Sequence, residues 1–130
     1  MRIESSDRQS FIEIGRQDEG GFMLLSVETA IGDFAARDRS IIIEDAATFL
    51  RELNKLEHTR QGQAVLRGVE DGFELRLQSL DRAGHLWIGI RVTRAASPSV
   101  APEPLVFSGG FPLDGEDAVK LFSDLRKLLS

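Results

Sequence analysis

The chain has 130 residues, of which 42% are hydrophobic and 28% are charged, a balance that excludes intrinsic disorder and fits a globular protein. A chain of this length buries enough surface to form one hydrophobic core, so we predict a single domain over residues 1–130. The net charge is −5, and no cluster of lysine or arginine is dense enough to bind a phosphate backbone, which argues against a nucleic-acid partner.

The N-terminal part of the chain shows the two-residue period of β-strands. Residues 10–15 and 22–31 are predicted to form a hairpin, because the Asp-Glu-Gly-Gly of residues 18–21 is typical of a turn. A further turn at Gly32 leads into a third predicted strand over residues 34–43. The second of these strands places a set of side chains on one face, namely Met23, Leu25, Val27, Thr29 and Ile31.

From Glu44 the period changes to that of an amphipathic helix, with Glu44 and Asp45 in its first turn and Gly62 beyond its end. Its apolar stripe consists of Ala46, Phe49, Leu50, Leu53 and Leu56. Three more strands are predicted over residues 63–69, 73–80 and 85–93, and together they form an antiparallel meander. Residues 95–104 contain three of the prolines, so we predict an extended loop there.

The C-terminal part returns to strand character over residues 105–111, where Gly109 and Gly110 weaken the strand or mark a bulge and Pro112 closes it. A second amphipathic helix follows, with Asp114 as its predicted N-cap. Its apolar stripe consists of Ala118, Leu121, Phe122, Leu125, Leu128 and Leu129. The two helices share six identities when residues 44–56 are aligned with residues 116–128, which indicates either a duplicated strands-then-helix unit or convergence of two amphipathic helices.

These elements define an α+β fold class. We predict a single antiparallel, meander-rich sheet of about six to seven strands with the two amphipathic helices packed on one face, because both helix stripes need an apolar surface to cover. The two-residue period assigns four side chains of the strand over residues 85–93 to the covered face, namely Leu86, Ile88, Ile90 and Val92.

Residue types that carry catalysis are not arranged in a recognised motif. The sequence lacks a nucleophile elbow, a phosphate-binding loop, a zinc-binding His-Glu-x-x-His and a dinucleotide fingerprint. The two histidines, His58 and His85, do not have the spacing of metal ligands, and the absence of cysteine excludes disulfides and thiolate sites. We therefore predict a protein that is not an enzyme and has neither a cofactor nor a metal.

The sequence also bears on location and on the charge of a partner. The first eight residues lack the apolar stretch of a secretory signal, and no later segment approaches the roughly eighteen apolar residues of a membrane span. With the absence of cysteine, this predicts a cytoplasmic protein without a membrane partner. The acidic balance fits either a basic protein partner or a surface charged for solubility.

The predicted strand over residues 85–93 carries the only tryptophan, on the face turned away from the helices. Alternation places His85, Trp87 and Arg91 on that face, beside Glu74 and Arg76 of the preceding strand. Tryptophan and arginine are favoured interface anchors, so these five are the predicted partner-binding residues. The alternative is a structural role, in which Trp87 stacks on Arg76 or Arg91 or is covered by the proline-rich segment.

The order of the elements and their hydrophobic spacing resemble a known family. The matching steps are Asp45, Phe49, Leu50 and Leu53 in the first helix, Gly62, Ala64 and Leu66, the run Asp71-Gly72-Phe73-Glu74-Leu75, Gly84-His85-Leu86, Leu105-Val106-Phe107, and Leu113-Asp114 with Leu125, Leu128 and Leu129. This pattern, over about residues 22–129, resembles the WapI-type immunity proteins of bacterial polymorphic toxin systems and related small uncharacterised bacterial proteins. The resemblance implies a cytoplasmic protein that binds and neutralises a cognate secreted toxin without a cofactor, and it supplies no defined binding residues.

Two other functions stay open at this point. A ligand-binding or catalytic domain would use a cleft between the sheet and the proline-rich segment, with His85, Trp87 and Arg91 as its contacts. A structural or assembly subunit would pair through an exposed edge strand, for which residues 10–15 and 105–111 are the two candidates, and a homodimer is then one possible state.

Overall fold

The computed structural model describes residues 1–94 and 103–130, which fold into eight β-strands and two α-helices. The strands are β1 (Arg2–Glu4), β2 (Ser10–Arg16), β3 (Met23–Ile31), β4 (Phe34–Ile43), β5 (Gln63–Arg67), β6 (Phe73–Ser79), β7 (Leu86–Arg94) and β8 (Leu105–Leu113). The helices are α1 (Ala46–Thr59) and α2 (Gly115–Leu129), and a single 3₁₀ turn spans Val69–Asp71. Four strands followed by a helix therefore occur twice along the chain, an order that a duplicated unit would have.

The strands form two separate antiparallel sheets of four strands each, with the orders β1-β2-β3-β4 (the first sheet) and β5-β6-β7-β8 (the second sheet). The α+β class and the antiparallel pairing are confirmed, but the prediction of a single sheet of six to seven strands is wrong. The physical reason lies at the start of the second sheet. There Glu52 of α1 accepts a hydrogen bond at 3.3 Å from the backbone N–H of Val65, so the helix covers the free edge of β5 and blocks pairing with the first sheet.

Strand β1 has only three residues, too few for a two-residue period to be recognised, and the sequence analysis missed it. It pairs with β2 and makes β2 an inner strand, so the predicted exposed edge at residues 10–15 is wrong. Strand β8 does lie at an edge, as predicted, and this position tolerates Pro112, which lies within the strand instead of closing it. Most of the predicted proline-rich loop, residues 95–102, lies outside the described residues.

Both sheets and both helices contribute to one continuous hydrophobic core. The predicted faces are confirmed: β3 buries Leu25, Val27 and Thr29, and β7 buries all four of its predicted aliphatic residues. Helix α1 buries Phe49, Leu53 and Leu56, and helix α2 buries Ala118, Leu121, Phe122, Leu125 and Leu129. The helices thus share a core with two sheets, and not with one face of a single sheet as predicted.

Polar contacts tie the two halves of the chain together. Arg94 at the end of β7 places its Nη2 2.7 Å from Oδ1 of Asp38, a buried carboxylate on β4 of the other sheet. Helix α2 is joined to helix α1 by Arg126, which donates to the side chains of Asn54 and Glu57. The second sheet is therefore fixed to the first at an edge, and the two helices are fixed to each other.

Candidate functional site

The outward-facing side of the second sheet carries most of the residues that the sequence analysis selected. Pairing of β6, β7 and β8 arranges its side chains in three rows: Gln78, Trp87 and Pro112; Arg76, Gly89 and Gly110; Glu74, Arg91 and Ser108. We call this surface, with Arg67 of β5 opposite Glu74, the outer face of the second sheet. It contains a shallow depression of about 350 Å³. The structure thus brings Glu74, Arg76, Trp87 and Arg91 together.

The fifth selected residue, His85, lies in the turn before β7 and not in the strand. Its Nδ1 lies 2.7 Å from a carboxylate oxygen of Asp81 in the same exposed turn, and its backbone N–H donates to the other oxygen of that carboxylate. These hydrogen bonds lower the pKa of Asp81, with the side-chain bond to His85 as the largest cause. His85 is therefore held in a turn at the border of the outer face.

Trp87 lies flat over two glycines of the outer face. A Cβ placed on Gly89 would stand 2.1 Å from Cη2 and Cζ3 of the indole, and one placed on Gly110 would stand 2.2 Å from Cζ2. Because glycine has no Cβ, the two positions leave room for the six-membered ring, which lies on the backbone of β7 and β8. Among the described residues, the guanidinium groups that lie over an aromatic ring are those of Arg2 and Arg60, and both contact phenylalanine and not Trp87. The other structural alternative, cover of Trp87 by the proline-rich segment, involves residues 95–102, which lie outside the described residues.

Beside the indole lies a cluster of charged side chains centred on Glu74. One carboxylate oxygen is 3.5 Å from Nε of Arg67 and the other is 3.2 Å from Nη2 of Arg76. The Nε of Arg76 is buried without a hydrogen-bond partner, and Arg91, directly opposite Glu74 on β7, is exposed. Three arginines and one glutamate give the outer face a net charge of +2, whereas the whole chain carries −5.

Sequence reasoning missed three residues of this surface. Gly89 and Gly110 form the floor under Trp87, and Arg67 completes the pairing of Glu74. Gly89 follows Trp87 by two residues and therefore lies on the same face, but its role depends on the rotamer of Trp87, which a sequence does not give. Gly110 and Arg67 lie on strands whose pairing with β7 and β6 had to be known first.

Two other surfaces have distinct chemistry. A depression of about 360 Å³ on the outward side of the first sheet is lined by acidic and basic groups together, including Glu13, Glu28, Arg37 and Arg39. A cleft of about 410 Å³ between the edge strands β4 and β8 is mainly apolar and exposes three large side chains, namely Phe34, Leu105 and Val106, whose exposed fractions are 76%, 60% and 61%. The sequence analysis did not single out this cleft.

Comparison with known proteins decides the family. A family model described as the Immunity protein WapI-like family matches residues 2–130. The chain belongs to this family. The match confirms the resemblance that residues 22–129 indicated, and it extends that resemblance to β1 and β2. No curated protein and no solved structure shows a significant match.

The described part of this WapI-like immunity protein contains no group of three or more histidine, cysteine, aspartate or glutamate side chains that could hold a metal ion. Within residues 1–94 and 103–130, neither helix has both the length and the apolar character needed to cross a membrane. His58 lies on α1, where its Nδ1 is 2.8 Å from the carbonyl oxygen of Asn54 and far along the chain from His85.

Proposed function

We propose that this protein binds a cognate bacterial toxin and neutralises it by occupying the toxin's surface, without catalytic turnover and without a cofactor. The observation that carries the proposal is the family match over residues 2–130, nearly the whole chain. Neutralisation would take place in the cytoplasm, where the toxin would otherwise act on the cell that makes both proteins.

The distribution of reactive side chains supports binding over catalysis. His85 is paired with Asp81 in an exposed turn, and His58 contacts a backbone carbonyl of its own helix. A general acid–base pair needs two titratable groups that share a cleft and have separated pKa values. Neither histidine shares one of the surface depressions with such a partner among the described residues.

We further propose that the toxin contacts the outer face of the second sheet. Trp87 is half-buried and held flat, so it offers apolar area that loses little conformational freedom on binding. Arg76, Arg91 and Glu74 surround it with charged groups of the kind enriched around interface anchors. His85 would then lie at the border of the contact.

The experiment is co-expression of the protein with the toxin domain encoded beside its gene, followed by growth assays and purification of the complex. We expect wild-type protein to restore growth and to elute with the toxin as one complex. Trp87→Ala should lose this protection, whereas Val119→Ala, which truncates an exposed apolar side chain on α2, should retain it. The proposal fails if wild-type protein neither forms the complex nor restores growth.

A further inference from the structure

The outer face of the second sheet has a charge opposite to that of the rest of the chain, and we infer that it recognises an acidic segment of its protein partner. Carboxylates of the partner would bind Arg76 and Arg91 beside the indole of Trp87. The inference rests on the proposed function for the identity of that partner as a toxin. It differs from the basic partner that the acidic balance of the whole chain left open.

Charge segregation is the first argument. The outer face carries a net +2 on a chain whose total is −5, so the remaining surface is more acidic than the total indicates. An acidic segment is repelled by the net charge of the chain and attracted by the arginines of this face. Such fields raise association rates and fix the orientation of docking.

Unsatisfied donors are the second argument. Arg91 is exposed and forms no ion pair or side-chain hydrogen bond with another described residue, and the side chain of Arg76 is 34% exposed and contacts Glu74 through Nη2. The one carboxylate of this face, Glu74, already contacts Arg67 and Arg76. Donors therefore exceed acceptors, and a carboxylate is the group that matches the planar guanidinium in geometry and charge.

The position of Trp87 is the third argument. Its ring lies over Gly89 and Gly110, the two residues that share a row of the sheet with Arg76. The aliphatic part of a glutamate or aspartate side chain packs on such a ring while its carboxylate reaches the guanidinium groups. The apolar and charged contacts of one acidic side chain are thus available within a single depression of about 350 Å³.

The same face fits a nucleic acid less well. Binding to single strands needs a groove of positive charge and several aromatic rings for successive bases, and the rows of the outer face contain one aromatic ring, that of Trp87. An acidic protein segment is therefore the partner that the observations favour.

The test is a titration of the full chain with hexaglutamate, in which the fluorescence emission of Trp87 is the measured signal. This signal reports on the outer face alone, because the chain has no second tryptophan. We expect saturable binding that weakens as salt is added, because exposed charges are screened within about 8 Å at physiological ionic strength. Hexalysine should leave the emission unchanged. Oligothymidylate serves as the nucleic-acid probe and should bind more weakly than hexaglutamate.

The decisive variant is Arg91→Glu, which reverses the charge of an exposed arginine on the second sheet. Its matched control is Arg39→Glu, which reverses the charge of an exposed arginine on the first sheet. Arg91→Glu should weaken binding on the order of a hundred-fold, since like charges then face each other, and Arg39→Glu should leave binding unchanged. Arg91→Gln removes the charge without adding repulsion to Glu74, so it tests the same contact if Arg91→Glu folds poorly. Circular dichroism verifies folding of each variant.

Several results would overturn the inference: an unchanged emission with hexaglutamate, equal binding by wild type and both Arg91 variants, or tighter binding of oligothymidylate. The toxin assay separates this outcome from a failure of the proposed function. If the toxin is neutralised equally by wild type and Arg91→Glu, the function stands and the inference fails. If hexaglutamate binding depends on Arg91 but no toxin is neutralised, the proposed function fails and the chemistry of the face stands.

Discussion

The six-membered ring of Trp87 occupies the place where a side chain on Gly89 would begin, since a Cβ there would lie 2.1 Å from the ring atoms Cη2 and Cζ3. The nearest atoms belong to the far end of a side chain and not to the backbone, so the ring is what must move. At Gly110 a Cβ would also meet the carbonyl oxygen of Ile88 at 2.3 Å. The two glycines therefore have different consequences when they are replaced.

The first prediction concerns Gly89→Ala, which should lift the indole from the sheet without unfolding the protein. We expect the emission of Trp87 to shift to longer wavelength, because the ring gains contact with water, and we expect toxin binding to weaken. Gly110→Ala should instead lower the melting temperature strongly, since the backbone of β7 blocks the new methyl group. Gly115→Ala is the matched control, because its Cβ would meet nothing within 4 Å. An unshifted emission in Gly89→Ala would contradict the described position of the ring.

Local alternation was sufficient to predict the side of β7 on which Trp87 lies and its neighbours on β6. The register pairs Gln78 with Trp87 and Glu74 with Arg91, as a meander requires. The role of Gly110 could not be predicted from the sequence. Strand β8 is connected to β7 through the proline-rich segment, and no local pattern gives the register of two strands joined in this way. His85 was misplaced by extending the alternation past the strand, where the hydrogen bonds with Asp81 determine the conformation.

The number of sheets could not be read from the sequence either. Strands alternate in the same way whether they belong to one sheet or two, since alternation reports burial of a face and not the identity of neighbours. In the structure α1 lies along the free edge of β5, where Glu52 accepts a hydrogen bond from the backbone N–H of Val65. The helix stripes, by contrast, follow from a period of 3.6 residues alone, and Phe49, Leu53 and Leu125 are buried as predicted.

The second prediction concerns the contact between the sheets. Asp38 is 8% exposed and accepts hydrogen bonds from Arg94 at 2.7 Å and from the backbone N–H of Ser40 at 3.0 Å. Asp38→Asn keeps the shape but removes the charge, and it should reduce the free energy of unfolding by about 1–3 kcal/mol in urea denaturation. Asp18→Asn, which alters an exposed pair with Arg16 at 2.8 Å, should cost less. Equal losses in the free energy of unfolding would show that the contact between the sheets stabilises the protein no more than an exposed ion pair does.

The third prediction compares two helix N-caps. Asp45 of α1 accepts a hydrogen bond from the backbone N–H of Thr48 at 3.0 Å and one from its hydroxyl, whereas Asp114 of α2 makes no side-chain capping bond. Asp45→Ala should therefore lower the melting temperature by a few degrees, and Asp114→Ala should lower it less. Differential scanning calorimetry of both variants provides the comparison. The reverse order of the two melting temperatures would contradict the capping geometry.

The fourth prediction is a pH dependence at the contact between the helices. The hydrogen bond from Arg126 is the largest cause that lowers the pKa of Glu57 below the value of a free glutamate, about 4.3. A carboxyl whose pKa is lower in the folded protein stabilises the fold above its unfolded pKa, and this stability is lost as the pH falls through the folded pKa. Because the pair is partly exposed, its contribution at neutral pH is about 0.5 kcal/mol.

Glu57→Gln should accordingly unfold at lower urea than wild type at neutral pH, and the difference should vanish as the solution is acidified below the folded pKa of Glu57. The same substitution in an Arg126→Gln background should have an effect that varies much less with pH, since the hydrogen bond that is the largest cause of the lowered pKa is gone. Urea titrations of the four proteins at several pH values complete this double-mutant cycle. An undiminished pH dependence in the Arg126→Gln background would assign the stabilisation of Glu57 to other charges, such as those of His58 and Arg60, which also lower its pKa.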